Sequence, residues 1–161
     1  MKELILVRHG KSSWEYSVND KDRPLLQRGI NDGHLVVGAF KKKKIRPDAV
    51  FSSPANRALH TCMIFLRSMD FAYADFQITN ALYDFSGDDV LQFVKELDNG
   101  LETVMIFGHN HAFTHIANSL GSEYIDNVPT SGLVHLNFNT NDWSAIGKGS
   151  TSYTIFPKSL K

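Results

Sequence analysis

Two arginines and two histidines of this chain each follow an apolar run. Arg8 and His9 close the run in "LILVRHGKSSW", which begins at Leu4. Arg57 comes just after "DAVFSSPAN", and His109 just after "TVMIFG". A guanidinium presents a planar fork of donors that matches phosphate oxygens. An imidazole can attack phosphorus or move a proton near neutral pH. Gathered in one place, these groups could carry phosphoryl transfer without a metal. That chemistry asks for charge neutralisation on the equatorial oxygens and a nucleophile in line with the leaving atom. Arginines beside an imidazole also disfavour its protonation and so keep it nucleophilic. Taken singly, each residue has a structural use: Arg8 could pair with a carboxylate, and His9 could cap a turn. A purely structural account must explain the coincidence three separate times.

The elements that must bring them together can be read from periodicity. Leu4–Val7, "DAVFSS" and "TVMIFGH" are short, continuously apolar runs, the pattern of strands buried on both faces. Helical patterns lie between them. One runs from about Gln27 to Lys43, with Leu35, Val36, Ala39 and Phe40 as apolar positions. A second is opened by Pro54 and passes through Ala58, Met63 and Leu66. "GDDVLQFVKEL" is amphipathic, with Val90, Leu91, Val94 and Leu97 at helical spacing. "HAFTHIANSLG" is expected to end at Gly121 as a C-cap. "FQIT" reads as an edge strand, and "GLVHLNF" and "SYTIF" as further strands. This alternation predicts an α/β fold with a mostly parallel central sheet covered on both faces, a three-layer α/β/α sandwich. Ligands of such sheets bind beyond the carboxyl ends of the strands. Parallel neighbouring strands would therefore deliver Arg8, His9, Arg57 and His109 into one crevice. Gly10 would let the chain turn sharply and let a ligand come close. Thr61, four residues after Arg57, shares its helix face and would help hold it.

Composition narrows the function classes. The 161 residues suit one domain, and 42% apolar with 21% charged residues is ordinary for a globular protein. Lys plus Arg equals Asp plus Glu at 17 each, so bulk charge points to neither nucleic acid nor membrane. The run Lys41–Lys44 reads as cations at a helix C-terminus, with no interleaved aromatics to suggest a nucleic-acid groove. Cys62 is the single cysteine; it sits among Met63, Ile64 and Phe65 and reads as a small core residue. No disulfide within the chain is possible. The apolar run of "MKELILVRHG" is too short for a signal peptide, and no segment approaches a membrane span. A cytoplasmic protein is expected.

"LILVRHGKSSW", "SSPANRALHT" and "MIFGHN", in that order, resemble the histidine phosphatase superfamily, also called the phosphoglycerate mutase-like family. The short chain and the "DRPL" segment followed by Arg28 and Gly29 resemble its small phosphohistidine phosphatases of the SixA type. The resemblance runs from Leu4 to about Phe138. It implies a phosphoglycerate mutase-like fold and one histidine phosphatase domain over residues 1–161. It implies a phosphatase that needs no cofactor, with His9 as the phosphorylated nucleophile. Arg8, Arg57 and His109 would bind the phosphoryl group. Arg23 would add a phosphate contact, its structural alternative being a turn clasp with Asp22. The implied partner is a phosphohistidine-bearing protein or a small phosphorylated substrate. Two alternatives stay open: a phosphatase of a phosphorylated metabolite, and a phosphate-binding module without turnover.

Three positions depart from the family pattern. Leu26 replaces a usual threonine and leaves the next helix without its N-cap. His111 stands where proline often follows "GHN". The larger relatives take an acid from a middle segment, where this chain offers Asp84, Asp88 and Asp89. Asp84 is the possible general acid, and the other two read as first-turn helix residues. His109, His111 and His115 also raise a zinc reading, but no glutamate stands between histidines to act as a base, and no metal site is expected.

Overall fold

A computed structural model describes all residues, Met1–Lys161. Its sheet has six strands: β1 (Lys2–Arg8), β2 (Ala49–Ser52), β3 (Phe76–Ile78), β4 (Thr103–Gly108), β5 (Leu133–Phe138) and β6 (Ser150–Ile155). They lie in the order β3-β2-β4-β1-β5-β6. β1, β2, β3 and β4 are mutually parallel, whereas β5 and β6 join antiparallel. The sheet is thus mixed, and its parallel half contains every strand that leads to an arginine or histidine of interest. "FQIT" supplies the edge strand β3, none of whose three residues is fully buried.

Side-chain alternation along β1 explains why its sequence is apolar at every position. Leu4 and Leu6 face one side and Ile5 and Val7 the other, because successive side chains point to opposite faces. The first side joins Val104, Ile106, Phe113, Ile116 and Trp143 in one core. The second joins Val36, Phe40, Cys62, Phe65, Met105 and Phe107 in another. Helices α1 (Gln27–Lys41) and α2 (Asn56–Ser68) cover the second core, and α3 (Asp88–Lys95) and α4 (Ala112–Leu120) the first. The result is the expected three-layer sandwich. Cys62 is fully buried, and burial pushes its thiol pKa up. Lys41 is the last residue of α1 and Lys42 its C-cap, so the lysine run does lie at a helix end. No helix is long and apolar enough to cross a membrane.

Several local expectations need correction. Pro54 is not the first helical residue: α2 begins at Asn56 with Ala55 as N-cap. Gly121 does cap the end of α4, in an extended conformation. A side chain there would meet the Ala117 carbonyl at 2.5 Å, so the glycine serves a close approach. Gly10 also acts through packing. A Cβ on Gly10 would lie 2.9 Å from the Gly29 carbonyl oxygen, and one on Gly29 would lie 2.8 Å from the Lys11 amide nitrogen. The pair brings the end of β1 directly against the first turn of α1. Leu26, at the start of α1, makes no side-chain cap. The Leu26 N–H instead donates to the Lys11 carbonyl at 2.8 Å, which ties the same two segments together.

Backbone atoms are the obstacle at Gly29, so Gly29→Ala cannot be absorbed by a rotamer change. It should lower stability by about 1–3 kcal/mol and displace the Gly10–Lys11 segment. Urea denaturation with phosphate titration checks both. Unchanged stability would mean that the two segments separate freely.

Candidate active site

Parallel pairing places the ends of β1, β2 and β4 side by side, with β4 in the middle. Arg8 pairs with Gly108, and Ser52 with Phe107. The residues just beyond these ends therefore converge. His9 and His109 lie with ring centroids 5.3 Å apart. A cavity of about 280 Å³ opens over His9, lined by Arg8, His9, Arg23, Arg57 and Asp20 among others.

Each group is held by a different segment. The Nδ1 of His9 lies 2.7 Å from the Gly10 carbonyl oxygen. A carbonyl only accepts, so Nδ1 carries the hydrogen and Nε2 keeps its lone pair. The Gly10 N–H donates to Thr61 Oγ1 at 2.9 Å, and that hydroxyl donates to the Arg57 carbonyl at 2.8 Å. Thr61 thus joins the residue after the histidine to the residue bearing the guanidinium. Arg8 donates to the Val128 carbonyl at 2.8 Å. Arg57 is nearly fully buried. The Nε atoms of both Arg8 and Arg57 are buried without a partner. An unsatisfied buried donor typically costs about 1–3 kcal/mol, and both arginines that carry one line the same cavity.

Over residues 4–92 the chain matches the family model described as histidine phosphatase superfamily (branch 1). That is more than half of the chain and takes in Arg8, His9, Arg23 and Arg57. The chain belongs to the histidine phosphatase superfamily. An uncharacterized protein of Mycobacterium tuberculosis is 26% identical over 93% of this chain and 98% of its own length. Among solved structures, the protein histidine phosphatase SixA complexed with tungstate superposes with a TM-score of 0.83 at 22% identity, covering 99% of both chains. A SixA protein of Agrobacterium tumefaciens gives 0.81 at 21% identity over 96% of this chain and 97% of that one. These likenesses establish the SixA-type, phosphoglycerate mutase-like fold.

Within this superfamily fold the two histidines differ in access. His9 reaches the cavity. His109 is fully buried and does not line it. The rings of Phe85 and Tyr83 cover it at centroid distances of 4.9 and 5.3 Å. Its Nε2 lies 2.8 Å from Ser53 Oγ, which already accepts from the Ala55 N–H. The Ser53 hydroxyl, with one hydrogen to give and two lone pairs, pairs with Nε2 in either tautomer of the ring. The other ring nitrogen, Nδ1, is buried and has no partner.

Arg23 lies where the "DRP" turn promised, on the cavity wall, but its clasp is not Asp22. Its Nη1 meets Asp20 Oδ1 at 3.3 Å, Nε donates to the Ser13 carbonyl at 3.0 Å, and Nη2 donates to Ser12 Oγ at 2.7 Å. Asp20 is the functional-site residue that sequence reasoning missed. It also accepts from Arg57 Nη2 at 2.8 Å and from the Tyr83 hydroxyl at 2.6 Å, while its carbonyl takes Arg57 Nη1 at 2.6 Å. Three donors converge on one carboxylate. Partial burial alone would raise its pKa, but the bonds from Tyr83, Arg57 and Arg23 outweigh that and hold it at about 2.

Asp84, the expected acid, does not line the cavity, and its carboxylate is engaged elsewhere. Its Oδ2 accepts the backbone N–H groups of Gly87, Asp89 and Val90, and its Oδ1 accepts from Ser86. Burial would raise its pKa, but these bonds win and lower it. Asp84 caps α3, and every lone pair that could take up a proton faces a donor. No group of three His, Cys, Asp or Glu residues is arranged to hold a metal ion.

Burial pushes the pKa of His9 down to about 3, with Arg57, Arg8 and Arg23 adding to the shift against the Gly10 bond. His109 also falls to about 3, first through burial and then through His9 and Arg57. Both imidazoles are therefore neutral at pH 7. Between pH 6.5 and about 3 the unfolded chain binds protons at these histidines and the folded chain does not. Stability must then fall as pH falls through that window, by on the order of 1 kcal/mol per pH unit for each histidine. A His9→Gln, His109→Gln double variant should show a flatter thermal-melting profile between pH 7 and pH 5. A profile as steep as the wild type's would mean that neither histidine is held neutral.

Removing Asp20 would leave the buried Arg57 fork partly unpaired. Asp20→Ala should lower the melting temperature, and added phosphate should restore more of the loss than it adds to the wild type, because an anion can take over the exposed donors. Equal phosphate shifts in both proteins would show that Asp20 does not hold the fork.

Proposed function

We propose that the chain is a metal-independent phosphatase of protein phosphohistidine, acting through a phosphorylated His9. One observation carries the reading. A neutral imidazole, its Nδ1 locked on a carbonyl, offers Nε2 to a cavity lined by Arg8, Arg23 and Arg57. The SixA neighbour is a protein histidine phosphatase seen with tungstate, an oxyanion, which supports the same assignment of substrate and site. In this proposal residues 1–161 act as a single domain in the cytoplasm, on a phosphorylated protein.

The first step forms the bond from His9 Nε2 to phosphorus and breaks the bond from phosphorus to the substrate's ring nitrogen. That nitrogen takes the electron pair. The other ring nitrogen of the substrate already carries a proton, so the leaving imidazole departs neutral. The intermediate repeats this arrangement, because His9 keeps its Nδ1 hydrogen. No separate general acid is required, which suits a site whose one expected acid, Asp84, caps a helix. Arg8 and Arg57 turn their free Nε donors to the equatorial oxygens. On this reading His109, held beneath Phe85 and Tyr83, stabilises the developing charge from behind the cavity wall. Water then attacks phosphorus from the vacated side, releasing inorganic phosphate and restoring His9.

Rapid quench should trap an acid-labile, alkali-stable phosphoenzyme with the label on His9. His9→Ala should abolish turnover while retaining vanadate binding. His109→Ala should slow transfer about a hundred- to a thousandfold, the usual cost of one preorganised donor. A substrate panel of phosphohistidine peptides against sugar phosphates decides between protein and metabolite substrates. Turnover by His9→Ala at the wild-type rate, or a label elsewhere, would sink the mechanism.

A further inference from the structure

The cavity over His9 has a charged floor and an aromatic mouth. Of its eleven lining residues only Trp14 and Phe85 are apolar. Trp14 leaves 78% of its surface exposed and Phe85 45%. Neither belongs to either hydrophobic core, so core packing does not account for them.

Exposed as it is, Trp14 is fixed. The Arg23 guanidinium carbon lies 3.2 Å from its ring centroid, a stacked cation–π contact. Arg23 is itself held by Ser12, Ser13 and Asp20. The Ser13 N–H donates to the Pro24 carbonyl at 2.8 Å, and Ser12 bridges to Leu25, so both flanks of the loop are tied down. The indole is covered by the arginine and otherwise stands open. Phe85 packs edge-on against Tyr83 at 5.2 Å and is likewise anchored from below.

We propose that Trp14 and Phe85 form a leaving-group subsite selective for planar aromatic leaving groups, which on the phosphohistidine reading is the substrate's imidazole ring. In-line displacement sets the placement. His9 Nε2 enters on one side of phosphorus, so the leaving atom departs from the other, away from the buried floor and toward the mouth. The group attached to it arrives where the two aromatic side chains stand. A ring gains stacking there beyond the area it buries. An aliphatic leaving group, such as a serine methylene or a sugar carbon, gains the area alone. Rigid aromatic side chains also lose little conformational freedom when they take up a ligand, so the discrimination carries a small ordering cost.

Phenylphosphonate and methylphosphonate share an anionic head, differ in the ring and are not hydrolysed. Calorimetric titration of both into the wild type, Trp14→Ala and Trp14→Phe tests the subsite. The wild type should prefer the phenyl ligand. That preference should fall about five- to tenfold in Trp14→Ala, the size of one aromatic pair, and return largely in Trp14→Phe. Emission from Trp14, set against that of the fully buried Trp143, should respond more strongly to the phenyl ligand. Phe85→Leu should lower the same preference, which covers the case in which Trp14→Ala perturbs its loop. No phenyl preference in the wild type, or one unchanged by both Trp14→Ala and Phe85→Leu, overturns the proposal. The readout is binding, so a failure to turn over phosphohistidine refutes the proposed function separately.

Discussion

The hydrogen bond from His9 Nδ1 to the Gly10 carbonyl is the interaction on which the rest of the site depends. It selects the tautomer, aims Nε2 at the cavity and prevents the ring from turning to another partner. The carbonyl can accept only if the backbone at Gly10 is placed correctly. That placement comes from two directions. Gly29 lets α1 come against the backbone at Gly10 and Lys11, and Thr61 receives the Gly10 N–H from the α2 side. Two helices on one face of the sheet therefore orient a single imidazole. Through the Arg57 carbonyl, the same Thr61 hydroxyl ties that orientation to the arginine. The glycine that looked like a ligand-approach device in the sequence is a packing device that fixes a carbonyl.

Charge then follows from geometry. The three cations beside His9 repel one another, yet each is held by protein oxygens, with Asp20 shared between Arg57 and Arg23. Arg8 is tied to Val128, Arg57 to Asp20, and Arg23 to Ser12, Ser13 and Asp20. Most of these acceptors are neutral carbonyls and hydroxyls, and the one carboxylate among them is Asp20. The site can therefore keep a net positive field while satisfying most of its donors. A fixed field of this kind stabilises developing negative charge without reorganising at the moment of reaction. The same field, together with burial, keeps His9 unprotonated, so electrostatic stabilisation and nucleophilicity share one cause.

Much of this was legible in the chain. Continuous apolar runs gave away the buried strands, because β1 faces helices on both sides. Their shared basic endings located the site, because parallel strands end at the same edge. β5 and β6 were readable as strands, but their antiparallel pairing depends on chain reversals that no local pattern encodes. Asp20 was missed because its partners, Arg57 and Tyr83, are distant in sequence. The spacing of three from Arg23 was the available signal, and the adjacent Asp22 obscured it. Asp84 was misread for the opposite reason. It sits three residues before Gly87 and so reads as a free carboxylate near a helix, until α3 is seen to begin with its amides on that carboxylate.

The division between histidines reflects one further constraint. A group that attacks must be reachable, whereas a group that only donates to developing charge gains from exclusion of water. His9 stands at the cavity and His109 behind Phe85 and Tyr83, although both leave strand ends at the same edge. The difference arises after the strands. β1 runs into the Gly10 turn, which leaves its histidine lining the cavity. β4 runs into α4 almost at once, with the Phe113 N–H bonded back to the His109 carbonyl at 3.1 Å, and this keeps the second ring inside. Ser53 Oγ pairs with its Nε2, and its Nδ1 is buried without a partner. A buried polar atom without a partner is costly, and the fold tolerates this one in the ring that lies 5.3 Å from His9.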